Sequence, residues 1–161
     1  MKRIISYGLL LFLVMGTTGT IKAQSSKTVS TNKELVRESF ENWVSKTGSP
    51  FDLLADDVEW TITGSSKQSK TYTSKKQLIN EVLNPLNERL SKRITPNVKG
   101  IYADGDMVIV WWKSDAITNA GESYNGEYAW FMKFENGKII KVTAFLDNQK
   151  FAKTMLLPKN K

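Results

Sequence analysis

Apolar side chains recur with helical spacing near the start of the folded part of the chain. Thr31 and Glu34 have the spacing of a capping box and precede an apolar stripe. The stripe comprises Val36, Phe40, Trp43 and Val44. This pattern predicts a first helix that runs to about Lys46 and stops near Gly48.

Two further helices are predicted before residue 91. Ser49-Pro50 places a capping residue before a proline, which favours a short second helix over about residues 51–55. Ser74 to Gln77 forms another capping box, which predicts a third helix. Its inward residues are Leu78, Ile79, Val82, Leu83, Leu86 and Leu90. Pro85 lacks a backbone N–H, so we expect it to kink or split this helix.

Strands dominate the rest of the chain. Apolar and polar residues alternate over residues 57–63, which predicts a first strand. Four more strands are predicted over residues 94–103, 107–118, 124–135 and 138–146. Asp104-Gly105 lies between the first two of these strands and Asn136-Gly137 between the last two. Both dipeptides are typical of hairpin turns. A last helical turn or a tail is expected over residues 150–157. The order predicts an α+β domain with helices on one side of an antiparallel sheet.

The first 23 residues resemble a targeting signal. Lys2 and Arg3 precede an apolar run from Ile4 to Met15, and Ala23 ends a plausible cleavage site. At about 1.5 Å per residue, such a helix is too short for a bilayer core of about 30 Å, although an uncleaved anchor stays open. We therefore expect a signal peptide at residues 1–23, a flexible leader at 24–31, a domain at 32–157, and a secreted or periplasmic product without a stable membrane anchor.

Composition excludes several kinds of chemistry. The chain of 161 residues contains no His and no Cys, which removes Ser-His-Asp and Cys-His catalysis, common zinc sites and thiol redox centres. We therefore expect neither a metal nor a cofactor. The formal net charge of +7 includes three basic residues of the predicted signal, and no nucleic-acid motif accompanies the remaining basic clusters. The charge indicates a solvated surface and no nucleic-acid partner.

Five tryptophans suggest that aromatic rings occupy both faces of the sheet. Trp60 is the first choice for a pocket wall, and Trp111, Tyr128 and Trp130 are possible companions. Ordinary core packing is the alternative for each of these rings. The second face of the sheet is expected to cover another copy of the protein, because exposed aromatic sheet is rarely left in water.

Asp115 is the strongest candidate for a general base. Strand periodicity places it on one face with Lys113, Trp111, Ile109 and Met107. Burial would raise the pKa of this carboxyl group and the ammonium of Lys113 would lower it, a balance that suits a proton acceptor. The alternative is a surface ion pair worth about 0–1 kcal/mol.

Three segments resemble the SnoaL-like polyketide cyclase group of the nuclear transport factor two-like, cystatin-like superfamily. They are Phe51 to Trp60, Tyr124 to Ile140, with its Glu135-Asn136-Gly137 turn, and Val142 to Asp147. The resemblance implies a curved sheet wrapped around three N-terminal helices, a cone-shaped pocket and frequent dimerisation through the outer sheet face. Members include isomerases, hydrolases, dehydratases, cyclases and non-catalytic binding domains, so the fold alone does not set the chemistry.

The limonene epoxide hydrolase-like branch of this superfamily uses an Arg-x-Asp pair and a further acid. The corresponding positions here resemble Lys113-Ser114-Asp115 and Ala144, which leaves that triad incomplete. We therefore expect a secreted domain that binds a small, largely apolar molecule. One alternative is an isomerase, dehydratase or hydrolase that uses a pocket carboxylate, and another is a protein-interaction module acting through its outer sheet face.

Overall fold

The computed structural model describes residues 18–159, which form helices and a six-stranded sheet. The helices are α1 (Thr18–Ser45), a 3-10 helix (Pro50–Leu53), α2 (Lys75–Leu78), a π-helical turn (Ile79–Leu83), α3 (Asn84–Asn87) and α4 (Asn148–Met155). The strands are β1 (Leu54–Ile62), β2 (Thr71–Tyr72), β3 (Leu90–Asp104), β4 (Met107–Thr118), β5 (Glu127–Glu135) and β6 (Lys138–Phe145). The predicted α+β class is confirmed.

The sheet is mixed, in the order β2-β1-β6-β5-β4-β3. Strands β3 to β6 form the predicted antiparallel meander, but β1 pairs with β6 in parallel, with Trp60 opposite Val142. The prediction of a purely antiparallel sheet is therefore wrong. Tight turns dictate antiparallel pairing only between consecutive strands, whereas β1 reaches β6 through most of the domain and is free to run either way.

Both predicted hairpin turns are present. Asn136 and Gly137 adopt φ values of 49° and 75° between β5 and β6. Two consecutive residues with positive φ are what a type I′ turn requires, and the right-handed strand twist favours that turn. Gly105 has a φ of 56° between β3 and β4. These two turns set the register of the strands that carry most of the inner face.

Helix α1 begins earlier than the sequence predicts. It runs back through residues 24–31, which were expected to be a flexible leader, so the capping box at Thr31 does not mark its N-terminus in this structure. Residues 1–17 of the predicted signal peptide lie outside the described part of the chain, and the signal stays a prediction. Within residues 18–159, no helix combines the length and apolar character needed to cross a membrane.

The sequence predicts three helices in the N-terminal part of the chain, and the second and third of these differ from the prediction. The second is a 3-10 helix of four residues, Pro50–Leu53, and the third is broken by the π-helical turn that immediately precedes Asn84 and Pro85. This break agrees with the expected effect of a residue that lacks an N–H donor. The end of the chain forms α4 and not a tail, because the carboxylate of Asp147 caps it by accepting from the N–H of Lys150 at 3.0 Å.

The core lies between the helices and one face of the sheet. Along β4, the buried residues are Val108, Val110, Trp112, Ser114, Ala116 and Thr118. Helix α1 packs against β3 and β4, and α2 packs against β1. Along β4 and β5 the inner face alternates residue by residue with an outer face, so each of their residues belongs to one side or the other.

Candidate functional site

A cavity of about 360 Å³ lies between the inner face of the sheet and the helices. Its walls come from α1, the 3-10 helix, β1, residues 75–87, β3 to β6 and α4. Leu78, Val82 and Leu86 contribute one aliphatic side because helical spacing places them on the same face. The volume is within the range of small-molecule pockets.

Aromatic rings form the opposite wall. The rings that line the cavity are Trp43, Phe51, Trp60, Trp112, Tyr128 and Trp130. Together with Phe40, which contacts three of them from the core, they are linked by ring contacts of 4.1–6.2 Å between centroids. The predicted pocket residues Trp60, Tyr128 and Trp130 are buried and line the cavity. They also pack within the core, so the same residues serve both as pocket wall and as core packing. The edge-to-face contact of Trp60 with Trp130, at 5.0 Å, fixes the orientation of both rings.

Trp112 lines the cavity but is not among the pocket residues predicted from the sequence, and the same is true of Trp43, Phe51 and Tyr124. Trp112 is 1% exposed and stacks on Tyr128 of the neighbouring strand. The sequence analysis places the neighbouring Trp111 in the pocket wall. The distribution of charge along β4 indicates which face is inner. The face that contains Trp112 carries no charge between residues 108 and 118, whereas the face that contains Trp111 carries Lys113 and Asp115.

Hydroxyl groups collect where β4 meets the loop before β5. Ser114 Oγ donates to the carbonyl of Tyr124 at 2.9 Å and accepts from the N–H of Gly126 at 2.8 Å. Burial raises the pKa of Tyr124 well above its usual value and raises the pKa of Tyr128 as well. Both phenols therefore stay neutral at physiological pH and offer a ligand a hydroxyl group, not a phenolate.

The charged and amide side chains of the lining are exposed or half-buried, and they define the mouth of the cavity. They are Asp52, Lys75, Asn84, Asn87 and Arg93. Among the described residues that line the cavity, Asp52 is the one carboxylate, and its Oδ2 accepts from the backbone N–H of Ser49 at 2.7 Å. This carboxylate belongs to an exposed residue and is part of a capping box. The arrangement combines an apolar interior with a polar, mainly cationic entrance.

The predicted catalytic pair lies elsewhere. Asp115 and Lys113 share a strand face with Trp111, as the periodicity predicts, but that face is the outer one. Asp115 pairs with Lys92 at 2.7 Å, and Lys113 pairs with Glu127 at 3.4 Å. All four side chains are about half exposed. The structure thus does not bring Asp115 and Lys113 to the cavity or to each other as an ion pair.

Trp111, the fourth predicted ligand-binding residue, is also on the outer face. It is 42% exposed, and its indole N–H donates to the carboxylate of Glu127. Of the four predicted ligand-binding residues, the structure therefore brings three together around one cavity. A ligand inside that cavity would lie on the other side of the sheet from Trp111.

A family model described as a SnoaL-like domain matches residues 36–142. The chain belongs to this family. The match covers β1 to β5 and most of β6, but not α4, and the SnoaL-like resemblance noted in the sequence is confirmed. No curated protein sequence matches the chain.

Solved structures share the SnoaL-like fold at low identity. A nuclear transport factor two-like (NTF2-like) protein of Burkholderia thailandensis E264 is 21% identical, with a TM-score of 0.64, and the match covers 78% of this chain and 98% of that one. Bal32a, from a soil-derived mobile gene cassette, is 16% identical, with a TM-score of 0.65 and coverage of 80% and 98%. A protein of Jannaschia sp. CCS1, named as a candidate SnoaL-like polyketide cyclase, is 15% identical, with a TM-score of 0.64 and coverage of 81% and 95%. At these identities the similarity shows the fold alone.

The cavity of this SnoaL-like domain lacks the acids of an epoxide hydrolase triad. Of the four compared positions, Ser114 and Ala144 are buried on the inner face, whereas Lys113 and Asp115 are on the outer face. Neither of the two inner residues carries an ionisable carboxylate. In sequence, Lys113 and Asp115 resemble the Arg-x-Asp pair of the epoxide hydrolase-like branch. The register of β4 places both side chains on the outer face.

Proposed function

We propose that this SnoaL-like domain binds a small, largely apolar molecule in its cavity. The observation that carries the proposal is an inner space of about 360 Å³ lined mostly by aromatic and aliphatic side chains. A cavity of this size and lining is the usual form of a small-molecule site. We propose that it is the cone-shaped pocket that the family resemblance implies. Its polar lining residues are Ser49, Asp52, Lys75, Asn84, Asn87 and Arg93.

Binding without chemistry has more support than catalysis. An isomerase, dehydratase or hydrolase of the kind considered above needs a carboxylate that can exchange a proton with the bound molecule. Asp52 lies at the entrance, and its capping bond to Ser49 already engages one oxygen. Asp115 lies outside the cavity lining, in an ion pair with Lys92. The proposed function therefore uses neither carboxylate.

Native mass spectrometry tests the proposal. The domain and an Ala144→Leu variant are incubated with an extract of apolar metabolites and then sprayed under non-denaturing conditions. Ala144 is 1% exposed and lines the cavity, so the larger side chain takes up ligand space. We expect a bound small molecule on the parent protein and a reduced amount on the variant. Equal adducts on both proteins, or none on either, would argue against the cavity as the site.

We also propose that the protein is exported and loses residues 1–23. The support is the charged start, apolar run and small-residue end of that segment. N-terminal sequencing of the protein recovered from the periplasm or medium should begin at Gln24. A cytoplasmic product that retains Met1 or Lys2 would contradict export.

An interaction role for the outer sheet face is the second candidate, and we propose a second copy of the chain as its partner. Tyr102, Trp111, Phe131 and Phe145 are 58%, 42%, 36% and 47% exposed. They lie on adjacent strands, since Trp111 pairs with Ala129 and Ala129 pairs with Phe145. Exposed aromatic groups on this scale are typical of interfaces.

The charges around these rings favour a self-complementary contact. Lys113 pairs with Glu127 at 3.4 Å, and Lys133 pairs with Asp106 at 3.6 Å. Both signs therefore occur on this face beside the aromatic residues. A twofold arrangement can bring such a face against itself with cations opposite carboxylates, which is the usual form of a homodimer.

A further inference from the structure

We propose that the molecule bound in the cavity is an amphipathic anion, with an apolar body inside and a carboxylate attracted by the two cations of the lining, Lys75 and Arg93. This proposal rests on the proposed function and specifies its ligand class. In the described range of the chain, some charges near the mouth are already paired, and Lys75 and Arg93 are not. The apolar lining selects the body of the ligand, and the mouth selects its head group.

Among the residues that the structure describes, two cations at the mouth have no ion-pair or hydrogen-bond partner. Lys75 is half-buried at the start of α2, and Arg93 is exposed on β3, and both line the cavity. In the part of the chain that the structure describes, neither side chain forms an ion pair. The hydrogen bonds of residues 18–159 also leave both of their side chains unused.

The nearby carboxylates do not cancel this charge. Asp52 is at the mouth, but its Oδ2 accepts from the N–H and Oγ of Ser49 at 2.7 and 3.3 Å. Glu81 is on the adjacent helical segment, and it is paired with Lys70 at 2.6 Å. The cavity lining therefore contains two free cations and one carboxylate that is already engaged, which leaves an excess of positive charge at the entrance.

Two amides add hydrogen-bond donors beside these cations. Asn84 and Asn87 line the cavity three residues apart on α3, so their side chains lie on one helix face. Among the hydrogen bonds of the described residues, none uses either side-chain amide. A carboxylate has about four acceptor positions, which suits a site that offers cations and amide N–H groups together.

The position of the charge at the entrance is also physically favourable. A carboxylate at the mouth keeps contact with water and avoids most of the cost of burying an ion. The apolar body removes its surface from water against Leu78, Val82 and the aromatic wall. A fully buried anion would find no cation in the interior, since the described lining residues with positive charge are Lys75 and Arg93.

Isothermal titration calorimetry with 2-naphthylacetate and with its uncharged amide separates head-group recognition from apolar binding. We expect the carboxylate to bind roughly tenfold more tightly than the amide at low salt, a ratio that corresponds to about 1.4 kcal/mol. The ratio should shrink at about 0.5 M salt, because the two cations are partly exposed. Lys75→Gln and Arg93→Gln should each lower the ratio, because they weaken carboxylate binding more than amide binding.

Lys76→Gln is the matched control, since Lys76 is exposed, adjacent to Lys75 and absent from the cavity lining. It should preserve the preference for the carboxylate. Equal binding of the two probes would overturn this inference and leave the proposed cavity function intact. A preference that survives both the Lys75 and Arg93 substitutions would overturn the assigned residues, and binding of neither probe would count against the inference and the proposed function together.

Discussion

Trp112 stacks on Tyr128 across the β4–β5 ladder, with ring centroids 4.1 Å apart and planes inclined by 10°. The pair joins the packed core to the cavity wall, because both rings line the cavity and are nearly inaccessible to solvent. The residue before Trp112 in the chain points to the other side of the sheet. A single step along β4 therefore separates the inner site from the outer surface.

Trp112→Ala should destabilise the protein by about 3–5 kcal/mol, because it removes a large ring from a closely packed core. Trp111→Ala is the matched control, since it removes the same side chain from the adjacent, half-exposed position. Its cost should be about 1 kcal/mol, including the lost hydrogen bond to Glu127. Urea unfolding measures both free energies, and equal losses would contradict the assignment of the two faces.

Asn148 connects α4 to the loop after β1. Its Nδ2 donates to the carbonyl of Thr63 at 2.6 Å, and its Oδ1 accepts from Ser69 Oγ at 2.8 Å. Asn148→Ala should cost about 1–2 kcal/mol, because these part-buried polar groups lose their partner. The same unfolding measurement tests this value, and an unchanged stability would show that the contacts do not hold α4.

Gly64 gives a coupled prediction at the same contact. Its φ is 111°, and a Cβ atom there would lie 2.2 Å from Asn148 Nδ2. Gly64→Ala is therefore expected to destabilise the domain through both backbone strain and a steric clash. In an Asn148→Ala background the clash is absent, so the double-mutant cycle should show a smaller cost for Gly64→Ala. Additive effects would contradict the close approach.

The strand arrangement shows what the sequence could and could not predict. The turns at Gly105 and Asn136-Gly137 are local, so the dipeptides sufficed to predict two hairpins. The parallel pairing of β1 with β6 joins residues about 80 positions apart, such as Trp60 and Val142, and no local pattern encodes it. The helix break near Pro85 was predictable for the same local reason as the hairpins.

The candidate site was predictable only in part. Trp60 shares a strand face with Val58 and Ile62, and Tyr128 and Trp130 share one with Met132, so alternation places all three among apolar residues. Trp111 and Asp115 are cavity residues only if their face of β4 points inward. Alternation alone fixes which residues share a face and not which face is inner, and the charges of Lys113 and Asp115 decide that question.

Stability should fall at high pH in a way that depends on Tyr72. Burial, with a contribution from Glu81, raises the pKa of Tyr72 from 10.0 to about 12, and its hydroxyl donates to the carbonyl of Gln68 at 2.9 Å. The folded state holds this proton more tightly than the unfolded state, so stability is unaffected below pH 10 and decreases as the pH rises from 10 towards 12.

Tyr72→Phe provides the comparison. The variant lacks the ionisable hydroxyl, so its free energy of unfolding should fall less steeply over this alkaline range. Some dependence should remain, because burial also raises the pKa values of Tyr124 and Tyr128. Urea unfolding at a series of pH values measures the slopes, and identical slopes for parent and variant would contradict the raised pKa.

Phe131→Glu tests the proposed contact between two copies. Phe131 is near the middle of the outer aromatic face, so a carboxylate there should weaken a dimer by burying a charge without a partner. Sedimentation velocity should show a dimer for the parent and a monomer for the variant. Leu156→Glu is the control, since Leu156 is 86% exposed but lies after α4, away from this face. A monomeric parent would rule out the proposed contact.

The most direct test of the cavity as a binding site is a calorimetric titration of the parent and Ala144→Leu proteins with a series of uncharged apolar molecules. Ala144 is on β6 and lines the cavity, while the larger side chain remains apolar and suits a strand interior. We expect one molecule to bind per chain of the parent, with affinity at least tenfold lower in the variant. No binding by any member of the series, or binding that Ala144→Leu leaves unchanged, would contradict the account.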